Sequence, residues 1–318
     1  MDDGRLATLR PVQWTAVVNP AAGRRGRRGD LTGLRDLLAA RGVSVRITAD
    51  ADEGRAVATA AFGAGHGVVA CGGDGTVRVL AEVAAGCDGL LALVPFGSGN
   101  DFARALGLDP KDPTGALDLL THGTETRVDL ARATTADGRP FVVTTVANSG
   151  LDGEVNRWAN TVQRLSGTAL YAAAALRTMA HYRPTTMRIT VDDVVLEGPT
   201  WLVAVGNTDS YGGGMRIAPT ARPDDGLLDV VRVGDVSRAT VVTRFPTMMR
   251  GAHLQVRGID HLTGRVVRIE GAPGQDLWAS GEPVGPLPAT IEVEPAALRV
   301  LVPSVADPAG GDEVSRRR

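Results

Sequence analysis

Apolar positions along the chain follow two different rhythms. Up to about Leu108, short apolar runs alternate with stretches in which apolar residues recur every three or four positions. "WTAVVN" (Trp14–Asn19), "VSVRIT" (Val43–Thr48), "GVVAC" (Gly67–Cys71) and "GLLALVP" (Gly89–Pro95) read as strands. "DLTGLRDLLAARG" (Asp30–Gly42), "DEGRAVATAAFGAG" (Asp52–Gly65), "TVRVLAEVAAG" (Thr76–Gly86) and "NDFARALGL" (Asn100–Leu108) read as helices, the first with Asp30 as its cap and Gly42 as its stop. This order predicts a three-layer α/β domain, a parallel sheet with helices on both faces.

From about Arg127 the rhythm changes. "TRVDLARAT" and "RPFVVTTVANSG" read as two strands joined by the turn "ADG". One long helical stretch is predicted from about Glu154 to His181. Mostly strands follow, "MRITVDD", "TWLVAVGN", "LLDVVRVG", "RVVRIEG", "ATIEVEP" and "LRVLVP", which predict a β-rich, sandwich-like second domain. Expected boundaries are residues 1–130, residues 131–303 and a polar, disordered tail over 304–318.

Composition narrows the function. Net charge is −2 over 318 residues, and no groove-reading motif occurs, so nucleic acid is not expected as a partner. The segment "MDDGRLATLRPVQW" has no apolar core and does not read as a signal peptide. No apolar run approaches the ~20 residues that span a bilayer, so a cytoplasmic protein is expected. Cys71 ends an apolar strand and reads as a buried thiol. With Cys87 it forms no metal-ligand spacing, and the five histidines form no zinc motif. Lys111 is the only lysine among 34 basic residues and lies in a turn between prolines. A P-loop and a protein-kinase site both need a lysine elsewhere, and both are excluded.

Three glycine-bearing loops fall at the carboxyl ends of the predicted strands, where ligands bind in such folds. "NPAAGRRG" (Asn19–Gly26) offers backbone N–H groups for phosphate, or is a solvated basic loop. In "GGDGT", Gly72, Gly73 and Gly75 allow close approach of a ligand. Asp74 would repel a bare phosphate but suits one carrying Mg²⁺, or it is a helix cap. "PFGSGND" repeats the device one strand later with Gly97, Ser98, Gly99, Asn100 and a second acid, Asp101.

In this order and spacing the loops resemble the diacylglycerol kinase catalytic domain family, bacterial lipid kinases related to sphingosine and ceramide kinases. "VVNPAAG", "GGDGTV" and "GSGNDFARALGL" resemble its nucleotide-binding half. "ANSGLDGEV", "YGGGMRIAPTARPDDGLLDVVRV" and "SGEPVGPLPATIEVEPAALRVLVP" resemble its second half. The resemblance implies the overall fold read above, with a nucleotide-binding first domain. It implies ATP contacts at Asn19, Pro20, Ala21, Ala22, Gly23, Thr48, Gly72, Gly73, Asp74, Gly75, Thr76, Val77, Arg78 and Val79, and at the Gly97–Asn100 turn. A Mg²⁺ ion would be held by the Asp225 carboxylate with backbone oxygens of Arg222 and Leu227. "PDDGLLD" read alone is an acidic turn.

The same resemblance implies a lipid acceptor met at the membrane surface by a peripherally bound protein. A homodimer is compatible with it. Asp101, Gly150 and Asp152 are the candidates on the acceptor side, Asp152 reading equally as a helix N-cap. Glu282 is the first choice for the base that takes the acceptor's proton, and Asp74 the second. Ser280 is a third catalytic candidate, able to hydrogen-bond the acceptor hydroxyl or orient Glu282. Two positions depart from the family pattern: Ser280 stands where Asp is usual, and Val79 where Glu is usual. Two other readings stay open, a kinase of a soluble alcohol or nucleotide and a nucleotide-binding protein without turnover.

Overall fold

The computed structural model describes residues 12–20, 31–161 and 177–304. The predicted Asp30 cap, Ala21 to Gly26, residues 162–176 of the long helical stretch and residues 305–318 of the polar tail lie outside them.

The first part alternates as its periodicity requires. It runs β1 (Trp14–Val18), α1 (Leu31–Ala40), β2 (Ser44–Ile47), α2 (Ala51–Gly63), β3 (Gly67–Gly72), α3 (Asp74–Cys87), β4 (Leu90–Pro95) and α4 (Asp101–Ala105). β2, β1, β3 and β4 pair in parallel in that order. β3 is buried along its whole length, as expected for a strand covered on both faces. The side chains of Leu34, Leu38, Ala58, Leu80 and Phe102 pack with the strands into one core. The helix α5 (Pro113–His122) was not foreseen. It is opened by Asp112, whose side chain accepts from the Gly115 amide, with Pro113 in the first turn.

The second part is β5 (Thr124–Thr134), β6 (Pro140–Val143), β7 (Val146–Gly150), α6 (Leu151–Thr161), β8 (Thr185–Val191), β9 (Val194–Thr200), β10 (Leu202–Gly206), β11 (Leu228–Val233), α7 (Arg238–Met248), β12 (Ile259–Gly264), β13 (Val266–Glu270), β14 (Asp276–Ala279), β15 (Glu282–Pro286) and β16 (Ala289–Val302). "RPFVVTTVANSG" is not one strand. It breaks at Thr144–Thr145, sending β6 to one sheet and β7 to the other. Residues 177–181 are helical, in keeping with the end of the predicted long helix.

β12, β11, β10, β7, β14 and β15 form an antiparallel sheet. The other sheet continues from β4 through β16, β13, β8 and β9, with β5 and β6 joined on. β16 runs parallel to β4 but antiparallel to β5 and β13, so the sheet that starts parallel becomes mixed. Met187, Ile189, Val267, Ile269 and Ile291 of this sheet pack against Val203, Val205, Leu228, Val230 and Leu277 of the other. That core is the sandwich. The outer face of the antiparallel sheet is buried too, beneath Leu151, Val155, Met179, Met215 and Val241.

Candidate functional site

β1, β3 and β4 each end in a turn at the same edge of the parallel sheet, and the turns converge. Asn19 follows β1 and donates from Nδ2 to the Thr76 hydroxyl at 3.0 Å. Gly73 follows β3 and Gly97 follows β4. The Phe96 amide donates to the Gly72 carbonyl at 2.9 Å, which ties the two turns together. A Cβ on Gly97 would lie 2.4 Å from Gly73 Cα, so the approach requires glycine. Asn100, at φ 54°, holds its turn shut by accepting from the Gly97 amide and donating to the Gly97 carbonyl.

The turns wall a cleft of about 670 Å³, lined among others by Asn19, Thr48, Gly73, Asp74, Gly75, Thr76, Arg78, Val79, Gly97, Ser98 and Gly99. Ser280 and Glu282 line it as well, brought there by the β14–β15 hairpin. Thus most of the described residues expected to contact nucleotide share one cavity with both candidate residues of the second glycine turn. Gly72 and Val77 stand behind the surface: Gly72 packs on the Thr76 side chain and Val77 belongs to the core. Asn100 acts on the turn rather than on the cavity.

Asp74 does not cap its own helix, whose N-cap is Gly73. Its Oδ1 accepts from the Phe102 amide at 3.1 Å, at the start of α4. Burial, and then the neighbouring Asp101 charge, push its carboxyl up to about 6, against amides of Phe102, Asp101 and Asn100 that favour the ionised form. Asp101 is buried beside it. One of its oxygens accepts from the Gly213 amide at 2.8 Å and the other pairs with Arg104 at 2.7 Å. Burial holds its pKa up as well. Asp101 thereby ties the first part of the chain to the glycine run at Gly212–Gly214, each residue of which has positive φ.

Ser280 and Gly281 are the two central residues of the β14–β15 hairpin, at φ 52° and 78°. Two positive φ values in a two-residue loop favour Asn-Gly or Asp-Gly. Glu282 opens β15 and is exposed.

The predicted acidic turn lies elsewhere, next to β11. Asp225 Oδ1 accepts from the Leu227 amide at 3.0 Å. Its pKa is raised by burial and by the charges of Asp229, Asp129 and Asp224. Of these, Asp129 is satisfied by the amides of Gly226 and Ala296, and Asp229 by Thr220 and His261. The Arg222 side chain turns to Asp224, not to Asp225. Among the described residues no group of three or more His, Cys, Asp or Glu side chains is placed to hold a metal, so a cation here would rest on the Asp225 carboxylate and backbone oxygens.

Gly150, at φ 101°, leaves no room for a Cβ against the Trp201 carbonyl. Asp152 is buried in the first turn of α6 and lines a narrow pocket with Leu151, Val155, Trp201, Tyr211, Met215 and Phe245. This pocket is apolar apart from Asp152 and Tyr211, and it is separate from the cleft.

Residues 13–133 match the diacylglycerol kinase catalytic domain, and residues 145–302 match the YegS C-terminal NAD kinase beta sandwich-like domain. A diacylglycerol kinase of Mycobacterium tuberculosis is 36% identical over 307 residues, covering 95% of this chain and 99% of that protein. The chain belongs to the diacylglycerol kinase family of lipid kinases. A "Probable lipid kinase YegS-like" of Pseudomonas aeruginosa is 33% identical over 276 residues, covering 84% of this chain and 86% of the relative. A solved structure of a diacylglycerol kinase from Bacillus anthracis shares the fold at TM-score 0.70 and 22% identity, covering 93% of this chain and 98% of that one. Kinases of this family use ATP. No described helix is long and apolar enough to cross a membrane.

Proposed function

We propose that the protein transfers the γ-phosphoryl group of ATP to the hydroxyl of a diacylglycerol-like or sphingoid lipid, met at the inner membrane surface by a cytoplasmic, peripherally bound protein. The observation that carries this reading is the shared cavity: three glycine turns and the hairpin bearing Glu282 wall one cleft. The backbone amides of Gly73, Gly75 and Ser98 suit a polyphosphate. Bound Mg²⁺ would neutralise phosphate charge in a cleft that also holds Asp74. A second Mg²⁺ would be held by Asp225 with the backbone oxygens of Arg222 and Leu227, where it supports the β10–β11 side of the fold.

The acceptor oxygen attacks the γ-phosphorus, the bond to the β-bridging oxygen breaks, and ADP leaves. The acceptor's proton passes to a carboxylate. Glu282 suits that role better than Asp74. Asp74 is committed to the start of α4, whereas no hydrogen bond from a described residue occupies the Glu282 carboxylate. Ser280 serves the hairpin and leaves Glu282 in place. Asp152 faces the lipid head group in this reading, with the apolar pocket beside it as the start of the acyl path. That pocket holds only about 30 Å³, so an acyl chain enters as its side chains part.

The test is Mg²⁺-dependent ATP consumption with diacylglycerol, sphingoid bases, soluble alcohols and NAD in turn. Turnover is expected with one of the lipids, and Glu282→Gln should lower kcat by about 10²–10⁴-fold. Turnover confined to soluble acceptors, or none with any acceptor, would overturn the reading.

A further inference from the structure

Arg78 stands on α3 four residues after Asp74 and four before Glu82, so three charges lie along one helix face. Its side chain is 12% exposed. The guanidinium carbon lies 4.2 Å from the centroid of the Phe141 ring, which β6 supplies. Glu82, at 3.7 Å, is the only carboxylate within ion-pair range among the described residues, and it already accepts from Arg55 at 2.7 Å. Nε of Arg78 is buried with no acceptor.

Such a group is costly to leave as it is. Its Nε–H has given up hydration with no acceptor in return, and the rest of the guanidinium has only the shared Glu82 and the Phe141 face. Arginine does not escape by giving up its proton. Burial lowers its pKa, but from a value far above neutrality.

The surroundings show what is missing. Arg78 lines the cleft, as do the carboxylates Asp50, Asp74 and Glu282, and among the described residues it is the only basic side chain there. The glycine turns offer amides to a polyphosphate, but amides carry no net charge. Glu282 is close enough to stabilise the Arg78 charge. The phosphorus that meets the acceptor oxygen must lie near the base that takes the acceptor's proton.

We propose that Arg78 is a further catalytic residue, donating to the phosphoryl group as it is transferred and holding it beside Glu282. This rests on the kinase reading above and goes beyond the ATP contact that the resemblance implies at Arg78, to the phosphoryl group itself. As the bond to the bridging oxygen breaks and the new one forms, charge spreads over the equatorial oxygens. A planar, fixed guanidinium neutralises that charge with two parallel donors. Phe141 acts as a positioning residue, a flat shelf that keeps the guanidinium facing the cleft.

The experiment is calorimetric titration of wild type, Arg78→Gln and Arg78→Lys with ATP and with ADP, Mg²⁺ present and lipid absent, followed by turnover on the best lipid. Arg78→Gln should lose about tenfold or more in ATP affinity while ADP binding changes less than about threefold, because ADP lacks the group contacted. Its kcat should fall about 10²-fold or more with the lipid KM unchanged. Arg78→Lys should recover part of the ATP preference. Phe141→Leu, which keeps the arginine, should lower ATP affinity more than ADP affinity. It carries the same test should Arg78→Gln fail to fold. Equal loss of ATP and ADP binding, or no loss of either, overturns the role of Arg78 alone. Wild type that binds neither nucleotide overturns the kinase reading and this role with it.

Discussion

The two glycine turns that meet in the cleft handle their carboxylates in opposite ways. "GGDGT" buries Asp74 at the junction of α3 and α4, within reach of three amides and beside a second buried acid. "SGE" carries Glu282 on the rim of an exposed hairpin. Asp74 is therefore held in place and hard to ionise. Glu282 stands exposed on its hairpin, clear of any such cluster of amides among the described residues. A residue type at a glycine turn does not fix its chemistry. The number of amides already pointing at it does: they hold Asp74 as an organiser of the turns and leave the exposed Glu282 for the reacting role proposed above.

The sharpest way to break this contrast is Asp74→Asn. If Asp74 organises the turns and balances the metal-bound nucleotide, turnover should fall by about 10²-fold or more. The same variant should gain stability. The native carboxyl titrates near 6 and the unfolded one near 3.8, so the folded state binds more protons between those values. Stability of the parent therefore falls as pH rises from about 4 to 6, and the cost persists above. Melting curves should show Asp74→Asn more stable by roughly 1–3 kcal/mol at pH 7.5 and no more stable than the parent at pH 3.5. An unchanged turnover would leave Asp74 as an acceptor for the Phe102 amide and nothing more.

Gly97→Ala probes the convergence of the turns rather than their charges. Its Cβ would meet the Gly73 backbone, so the two turns must separate by about 1 Å. Turnover should drop about 10²-fold while the circular dichroism spectrum keeps its native shape. Full activity would mean that the turns need not touch. The smallest effect belongs to Ser280→Asp. Asp-Gly fits the hairpin better than Ser-Gly, so stability should rise by a few tenths to ~1 kcal/mol. Turnover should stay within about threefold if Glu282 is the base, as proposed. A tenfold gain in turnover would move the proton acceptor to position 280.

The sequence pattern carried the strand–helix alternation, the positions of the glycine turns and the sandwich character of the second half. Those features depend on local periodicity and on backbone conformations that few residues tolerate. The break at Thr144–Thr145 was hidden because β6 and β7 are both apolar and contiguous, and only tertiary pairing assigns them to different sheets. The helix α5 could have been found from Asp112, Pro113 and the spacing of Ala116, Leu117 and Leu120. For α7, Pro246 within the helix and a mixed polar pattern obscure the period. Of the candidate site, the nucleotide turns were legible in glycine. The Arg78–Phe141 shelf was not, since nothing local links two residues that meet only when the mixed sheet forms. The contact of Asp101 with Gly213 was likewise invisible: one Asp101 oxygen joins the two parts there, while the other pairs with Arg104 three residues on.

β16 has a consequence for the order of events during synthesis. One of its edges pairs with β5 along most of its length, and the other pairs with β13 near one end and with β4 near the other. While a ribosome extends the chain, β4 therefore waits as an open sheet edge until residues 289–302 emerge. At ~5–20 residues per second the stretch after Pro95 takes ~10–40 s to make. During that interval an apolar strand, "LLALVP", has its hydrogen-bonding edge available to any other nascent chain. The nucleotide half is encoded first but finished last, and its sheet stays open to misassembly until the final strand is laid in.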